Sequence, residues 1–163
     1  MDRKDKLILE MIEYDKGNPW MIQHFIKVHE FSRLIGLKEG LDDKTMEILE
    51  ASAIVHDIGI KASKEKYGHS NGKLQEKEGP LFAERMLEKI GYDNELIERV
   101  SYLVAHHHTY NDIDGIDYQI LVEADFLVNL YEEESSIESI KSTYEKIFRT
   151  QSGKEMCRQM FGL

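Results

Sequence analysis

The sequence predicts an all-α protein. Apolar residues recur at helical spacing along most of the chain and strand-like alternation is nearly absent. The two prolines, Pro19 and Pro80, each stand where a helix can begin. With 163 residues, 41% of them hydrophobic, there is enough material for one substantial core. No internal repeat, low-complexity run or linker divides the chain, so a single helical domain over residues 1–163 is expected.

The first clear helix start is Asn18-Pro19-Trp20, where Asn18 can accept from a first-turn amide and proline occupies the first helical position. This helix should run to about residues 36–40. The stretch "LDDKTMEILEASAIVHDIG" begins at an acidic cap, turns Met46, Leu49 and Ala53 inward and closes at Gly59, which puts Asp57 at its C-terminal end. Residues 60–77 are polar and contain Gly68 and Gly72, so a long surface loop bordering a site is expected there. Helices should resume at about 79–90, 93–108, 117–131, 135–149 and 153–161, the last two being amphipathic and packed on the core.

Composition narrows the partners. Charged residues make up 32% of the chain and the formal net charge is −10, which argues against duplex nucleic acid or an anionic membrane surface as main partner. Cys157 stands alone, so no intramolecular disulfide forms and a reducing compartment is expected. The N-terminal stretch "MDRKDKLILEMIEYDKG" mixes charges into its apolar residues, and no run approaches the roughly 18 apolar residues of a membrane span. The expected location is cytoplasmic.

The residues that carry chemistry are those whose burial is costly. In "AIVHDIGI", His56 and Asp57 end an apolar helical stretch, and both need a hydrogen-bond partner or a metal ion if buried. Imidazole and carboxylate together suit a first-row divalent cation. His24 shares a helical face with Val28 and Phe31, while His29 follows Phe25 and Ile26 at similar spacing, so periodicity does not choose between the two histidines. Asp125 falls on the apolar face of Leu121 and Val128, where an unpaired carboxylate would be expensive. Within "LVAHHHTY", helical rings at His106, His107 and His108 would point about 100° apart, so one or two at most can reach one ion. Any single histidine is more often an ordinary packed or surface residue. The ordered combination on four helices is what points to a metal.

That combination resembles the HD-domain metal-dependent phosphohydrolases, whose signature is a histidine, then a His-Asp doublet, then a later aspartate. The resemblance covers about residues 18–132 and implies a helical bundle with the metal site between core helices. "QHFIKVHEFSRLIGLKEGLD" is similar to the first motif helix and selects His24 over His29; "AIVHDIGI" supplies His56 and Asp57, and "LVEADFLVN" supplies Asp125. A dinuclear branch adds ligands in between. "KEGPLFAERML" matches one such place with Glu78 where many relatives carry histidine, and "YLVAHHHTY" favours His106 and His107, leaving His108 outside. The lysine often found directly after the doublet motif is displaced by one, with Ile60 before Lys61. "TYNDIDGID" contains no Gly-Tyr-Pro, which sets the cyclic-dinucleotide branch aside.

The resemblance implies hydrolysis of a small phosphate ester, a nucleotide in first place, with one or two divalent ions drawn from Fe, Mn, Zn, Co, Ni or Mg. Asp57 would bind one ion or bridge two, and Glu78, His106 or His107 would be ligands or proton-transfer groups. Lys61, with Lys64, Lys66 and Lys73, could attract a phosphate, and Tyr67 and Tyr110 could stack on a base. Two alternatives stand beside this reading: a di-iron oxygenase, for which Glu78 is the main support, and a non-catalytic nucleotide sensor. A homo-oligomer is compatible with either.

Overall fold

The computed structural model describes residues 1–163 as nine helices and no strand: α1 (Arg3–Tyr14), α2 (Pro19–Lys38), α3 (Asp43–Val55), α4 (Gly59–Tyr67), α5 (Gly72–Ile90), α6 (Asn94–His106), α7 (Ile116–Glu132), α8 (Ile137–Ile147) and α9 (Gln151–Phe161). Most starts are fixed by a side-chain oxygen that accepts from an otherwise free amide. Asn18 accepts from Met21, Asp42 from Thr45, Asn71 from Leu74, Asp93 from Leu96 and Thr150 from Gly153. Such a cap contributes about 1 kcal/mol. Asn18 and Pro19 begin α2 as the sequence indicates.

The two helices buried on most sides are α3 and α7. From α3, Ile48, Leu49, Ala51, Ala53, Ile54 and Val55 enter the core, and from α7, Tyr118, Ile120, Leu121, Val122, Ala124, Leu127 and Val128 do so. A helix apolar around most of its circumference belongs inside a bundle, and α1, α2, α5 and α6 supply the surrounding layer. Helices α8 and α9 pack on α7, as expected for the C-terminal amphipathic segments. Their junction is tied down by Glu123, fully buried on α7, which accepts from the Arg149 and Thr150 amides at 3.1 Å each and from the Thr150 hydroxyl at 2.6 Å. No helix is long and apolar enough to cross a membrane.

Three readings of local structure are corrected. Residues 60–77 are not a long loop: α4 and the first turns of α5 occupy them, with only residues 68–71 between. Pro80 therefore lies inside α5 rather than at its start. The physical reason is that α4 and α5 pack through small residues, Gly59, Ala62 and Ser63 against Gly79 and Ala83, so no stripe of large apolar side chains announces them. At Gly59 the two backbones touch: a Cβ there would stand 2.6 Å from the Gln75 carbonyl oxygen and 2.8 Å from the Gly79 nitrogen. Third, α3 closes at Val55 rather than at Gly59, and Gly59 opens α4. Residues 56–58 form the whole connection, held by the Ile58 amide on the Val55 carbonyl and the Ile60 amide on the Asp57 carbonyl, both at 3.0 Å. This short turn carries the His-Asp doublet.

Candidate metal centre

Four donors converge from three places in the bundle. His24 comes from the second turn of α2, His56 and Asp57 from the α3–α4 turn, and Asp125 from α7. His24 Nε2 lies 3.1 Å from Asp57 Oδ2, 3.2 Å from Asp125 Oδ1 and 3.3 Å from His56 Nε2. His56 Nε2 lies 3.2 Å from Asp57 Oδ2 and 3.4 Å from Asp125 Oδ1. His24, His56 and Asp125 are buried, at 1%, 0% and 5% exposure, so these polar groups have left water almost entirely.

The arrangement fits a divalent cation. Nitrogen and oxygen ligands about 2.0–2.2 Å from a shared ion stand roughly 3–3.5 Å from one another, which is the spacing of these donors. The outer ring nitrogens are held as metal-ligating histidines require. His24 Nδ1–H donates to Glu132 Oε1 at 2.6 Å and His56 Nδ1–H donates to the Ala53 carbonyl at 2.7 Å, so each ring presents Nε2 to the cluster. Glu132 is fixed in turn by Lys27 at 3.3 Å, Asn129 donates to Asp125 Oδ1 at 3.1 Å, and the Trp20 indole stacks on the His24 ring.

Without a cation these groups compensate one another as ions. Burial disfavours the protonated His24 ring, yet hydrogen bonds to Asp125 and Asp57 outweigh it and raise the ring to about 10. His56 is likewise raised well above its ordinary value: burial opposes, but the charges of Asp57 and Asp125 prevail. Burial would push both carboxyls up, but the facing His56 charge, with hydrogen bonds from the imidazoles, holds Asp57 and Asp125 well below the usual carboxylate range.

A second group adjoins the first through Asp57. Its Oδ2 faces His24 and His56, while its Oδ1 faces His107 Nε2 at 3.3 Å. His107 Nδ1–H donates to the Val104 carbonyl at 2.9 Å, and His108 completes a trio whose donor atoms lie within 4.8 Å of one another. Burial and the neighbouring His107 lower the His108 ring to about 4, so it is neutral near pH 7. Its Nε2 lies 2.7 Å from Gln75 Oε1. Asp57 is thus placed to serve two sites with one carboxylate.

The family model described as HD domain matches residues 21–142 of this chain, which is most of its length. The chain belongs to the HD-domain family. A solved structure of a predicted HD superfamily hydrolase from an uncultured Thermotogales bacterium is similar, with a TM-score of 0.70 and 20% sequence identity, covering 97% of this chain and 84% of that one. No curated protein sequence matches it.

Two of the expected ligands, Glu78 and His106, lie outside both donor groups, and Lys61, expected to attract a phosphate, is engaged by α1. The Glu78 carboxylate accepts from the Tyr67 hydroxyl at 2.7 Å and pairs with Lys66 at 3.2 Å, outside both donor groups. His106, the last residue of α6, stacks on Tyr102 and donates through Nδ1–H to the Tyr102 carbonyl at 2.7 Å. Lys61 Nζ donates to the Tyr14 carbonyl at 2.9 Å and lies over the Tyr14 ring. His29 turns the other way on α2 and bonds Glu50 at 2.8 Å.

Two contributors were not read from the sequence. Glu132 lies seven residues after Asp125 on the same face of α7, and that spacing is the signal that could have found it. The motif match favours His106 and His107 and leaves His108 outside, but α6 ends at His106, with His107 as its C-cap and His108 in the turn beyond.

Proposed function

We propose that this HD domain is a metal-dependent phosphohydrolase acting on a nucleotide or another small phosphate ester. The observation that supports it most is the convergence of His24, His56, Asp57 and Asp125 at mutual distances suited to one ion, with the second oxygen of Asp57 turned toward His107. His24, His56, Asp57 and Asp125 would hold the first cation, and Asp57, His107 and His108 a second. When bound, a divalent cation supplies Lewis-acid polarisation of a phosphoryl oxygen and a lowered pKa for water.

The chain's own residues do the rest. Glu132 and the Ala53 carbonyl fix the orientation of His24 and His56. Asp57 orients whatever occupies the space between the two donor groups. Where only the first cation is held, His107 or His108 would take the proton of the attacking water. The oxygenase alternative drew its support from Glu78, and the Tyr67 and Lys66 contacts of that residue favour the hydrolase instead.

The test is phosphate release from nucleotides and sugar phosphates after reconstitution with Mn, Co, Ni, Fe, Zn or Mg in turn. Turnover should occur with at least one ion and be lost in Asp57→Ala and His56→Ala. Failure of every ion and ester would overturn the reading.

A further inference from the structure

His108 is held unlike the other histidines of the centre. His24, His56 and His107 each donate Nδ1–H to a carbonyl or carboxylate oxygen and turn Nε2 toward Asp57. At His108 the two nitrogens exchange roles. Its Nε2 stands 2.7 Å from Gln75 Oε1, an oxygen that can only accept, so the ring proton sits on Nε2 and the lone pair on Nδ1. The ring has no other hydrogen-bond partner in the protein, and with Asn71 and Lys73 it lines an open cavity of about 330 Å³, so it is reached from solvent.

The first turn of α5 grips this histidine through Gly72, Gln75 and Glu76, which share a helix face at i, i+3 and i+4. At Gly72 the contact is with backbone: a Cβ there would stand 3.1 Å from His108 Cβ and 3.1 Å from its Cγ. Glu76 accepts from the His108 amide at 3.2 Å and from the Thr109 hydroxyl at 2.9 Å. Gln75 then sets the ring itself. Position 108 lies in the turn beyond α6, so its orientation comes from α5 rather than from its own helix. On the other side the His107 and His108 ring centroids are 4.0 Å apart, and both residues belong to the donor trio with Asp57.

A ring nitrogen that carries a proton cannot ligate a cation, and a ligating histidine is oriented by donating its other N–H to an oxygen. We propose that Gln75 is the positioning residue of the second cation site: its Oε1 keeps the His108 proton on Nε2 and leaves Nδ1 as the nitrogen that joins Asp57 and His107 in holding the ion. The proposal rests on the two-cation form of the phosphohydrolase reading and not on which ester is cleaved. It makes the first turn of α5, which touches none of the four principal donors, the element that decides whether one ion is held or two.

Two measurements on the full chain test it. In the metal-free wild type, nitrogen NMR of histidine-labelled protein, with the His108 signals identified by their loss in His108→Asn, should show the Nε2–H tautomer. Calorimetric titration with Mn(II) should show two ions in the wild type. Gln75→Leu, which keeps the bulk and removes the acceptor, should weaken the second ion about 10- to 100-fold, leave the first unchanged and let the His108 tautomers mix. Gln75→Glu, which keeps an acceptor oxygen, should restore the second ion to wild-type affinity or tighter. An Nδ1–H tautomer at His108 in the wild type, which needs no variant, overturns the proposal. So does second-ion affinity that is unchanged or tighter in Gln75→Leu, or a loss there that Gln75→Glu does not rescue, since packing alone would then account for it. A wild type that takes up only one ion at saturating Mn(II) removes the second site and the proposal together, while phosphate release by that same protein would leave the one-cation hydrolase standing. Two ions with no turnover of any ester, together with the expected Gln75 effects, would keep the positioning role and remove the hydrolase.

Discussion

Metal binding should displace two protons. In the metal-free protein His24 titrates at about 10 and His56 is raised well above its ordinary value, so at pH 7 the cluster holds two imidazolium rings against two carboxylates. A cation needs the Nε2 lone pairs of both rings, and each must lose its proton as the ion enters. Asp57 and Asp125 are already ionised and release nothing. Two protons per ion means that affinity rises about a hundredfold per pH unit, close to 2.7 kcal/mol, throughout the range below the raised histidine values. The assay is calorimetric titration with Mn(II) between pH 6 and 7.5 in buffers of different ionisation enthalpy, where the dependence of the observed heat on buffer gives the proton count. The count should be near two in the wild type and near one in His24→Gln. Fewer than about half a proton in the wild type would refute the reasoning, because the rings would then be neutral before the ion arrives.

The same shifts govern the stability of the metal-free protein. The raised histidines contribute stability fully present below about pH 6.5 and lost as pH rises toward 10, while the lowered aspartates contribute stability present above about pH 4 and lost as pH falls, so chelated protein should melt highest between roughly pH 4 and 6.5. A melting temperature that climbs from pH 6.5 to 9 under chelation would contradict this. Glu132→Gln removes the carboxylate that holds His24 and should weaken metal binding about 10- to 100-fold with the fold retained, measured by competition with a chromogenic chelator. Gly59→Ala places a Cβ against the α5 backbone, which cannot swing aside as a side chain would. The α4–α5 crossing must open at a cost of about 2–3 kcal/mol, lowering the melting temperature by roughly 5–10 °C, and a variant that melts like the wild type would show that the crossing has slack.

What was legible in the sequence follows from how each element is stabilised. Helices α2, α3, α6 and α7 bury large apolar side chains at helical spacing, and Asn18 and Pro19 mark the start of α2 in so many letters. By contrast α1 buries only Leu7 and Met11 among charged neighbours, and α4 packs through Gly59, Ala62 and Ser63, so periodicity says little about either. His56, Asp57 and Asp125 are legible as expensive groups on apolar stretches, whereas His24 is told from His29 only by the likeness of its helix to the family's first motif. Glu78 and His106 could not be placed by order alone: Glu78 turns to a hydroxyl partner at Tyr67, and the His106 ring stacks on Tyr102 and donates to the Tyr102 carbonyl.

The donors also have a topological consequence. Asp57 lies in the α3–α4 turn and Asp125 on α7, and positions 24 and 125 are separated by about 100 residues. An ion seated between them acts as a clasp, closing most of the chain into a loop much as a disulfide would, and the entropy that a clasp removes from the unfolded chain grows with the loop it closes. The clasp cannot fasten until α2, the α3–α4 turn and α7 have all docked, so it selects the fully assembled bundle over any partly folded form. Cleavage by a protease that attacks opened chains should therefore slow when the ion is present, even at bonds in α5 and α6 that no ligand touches.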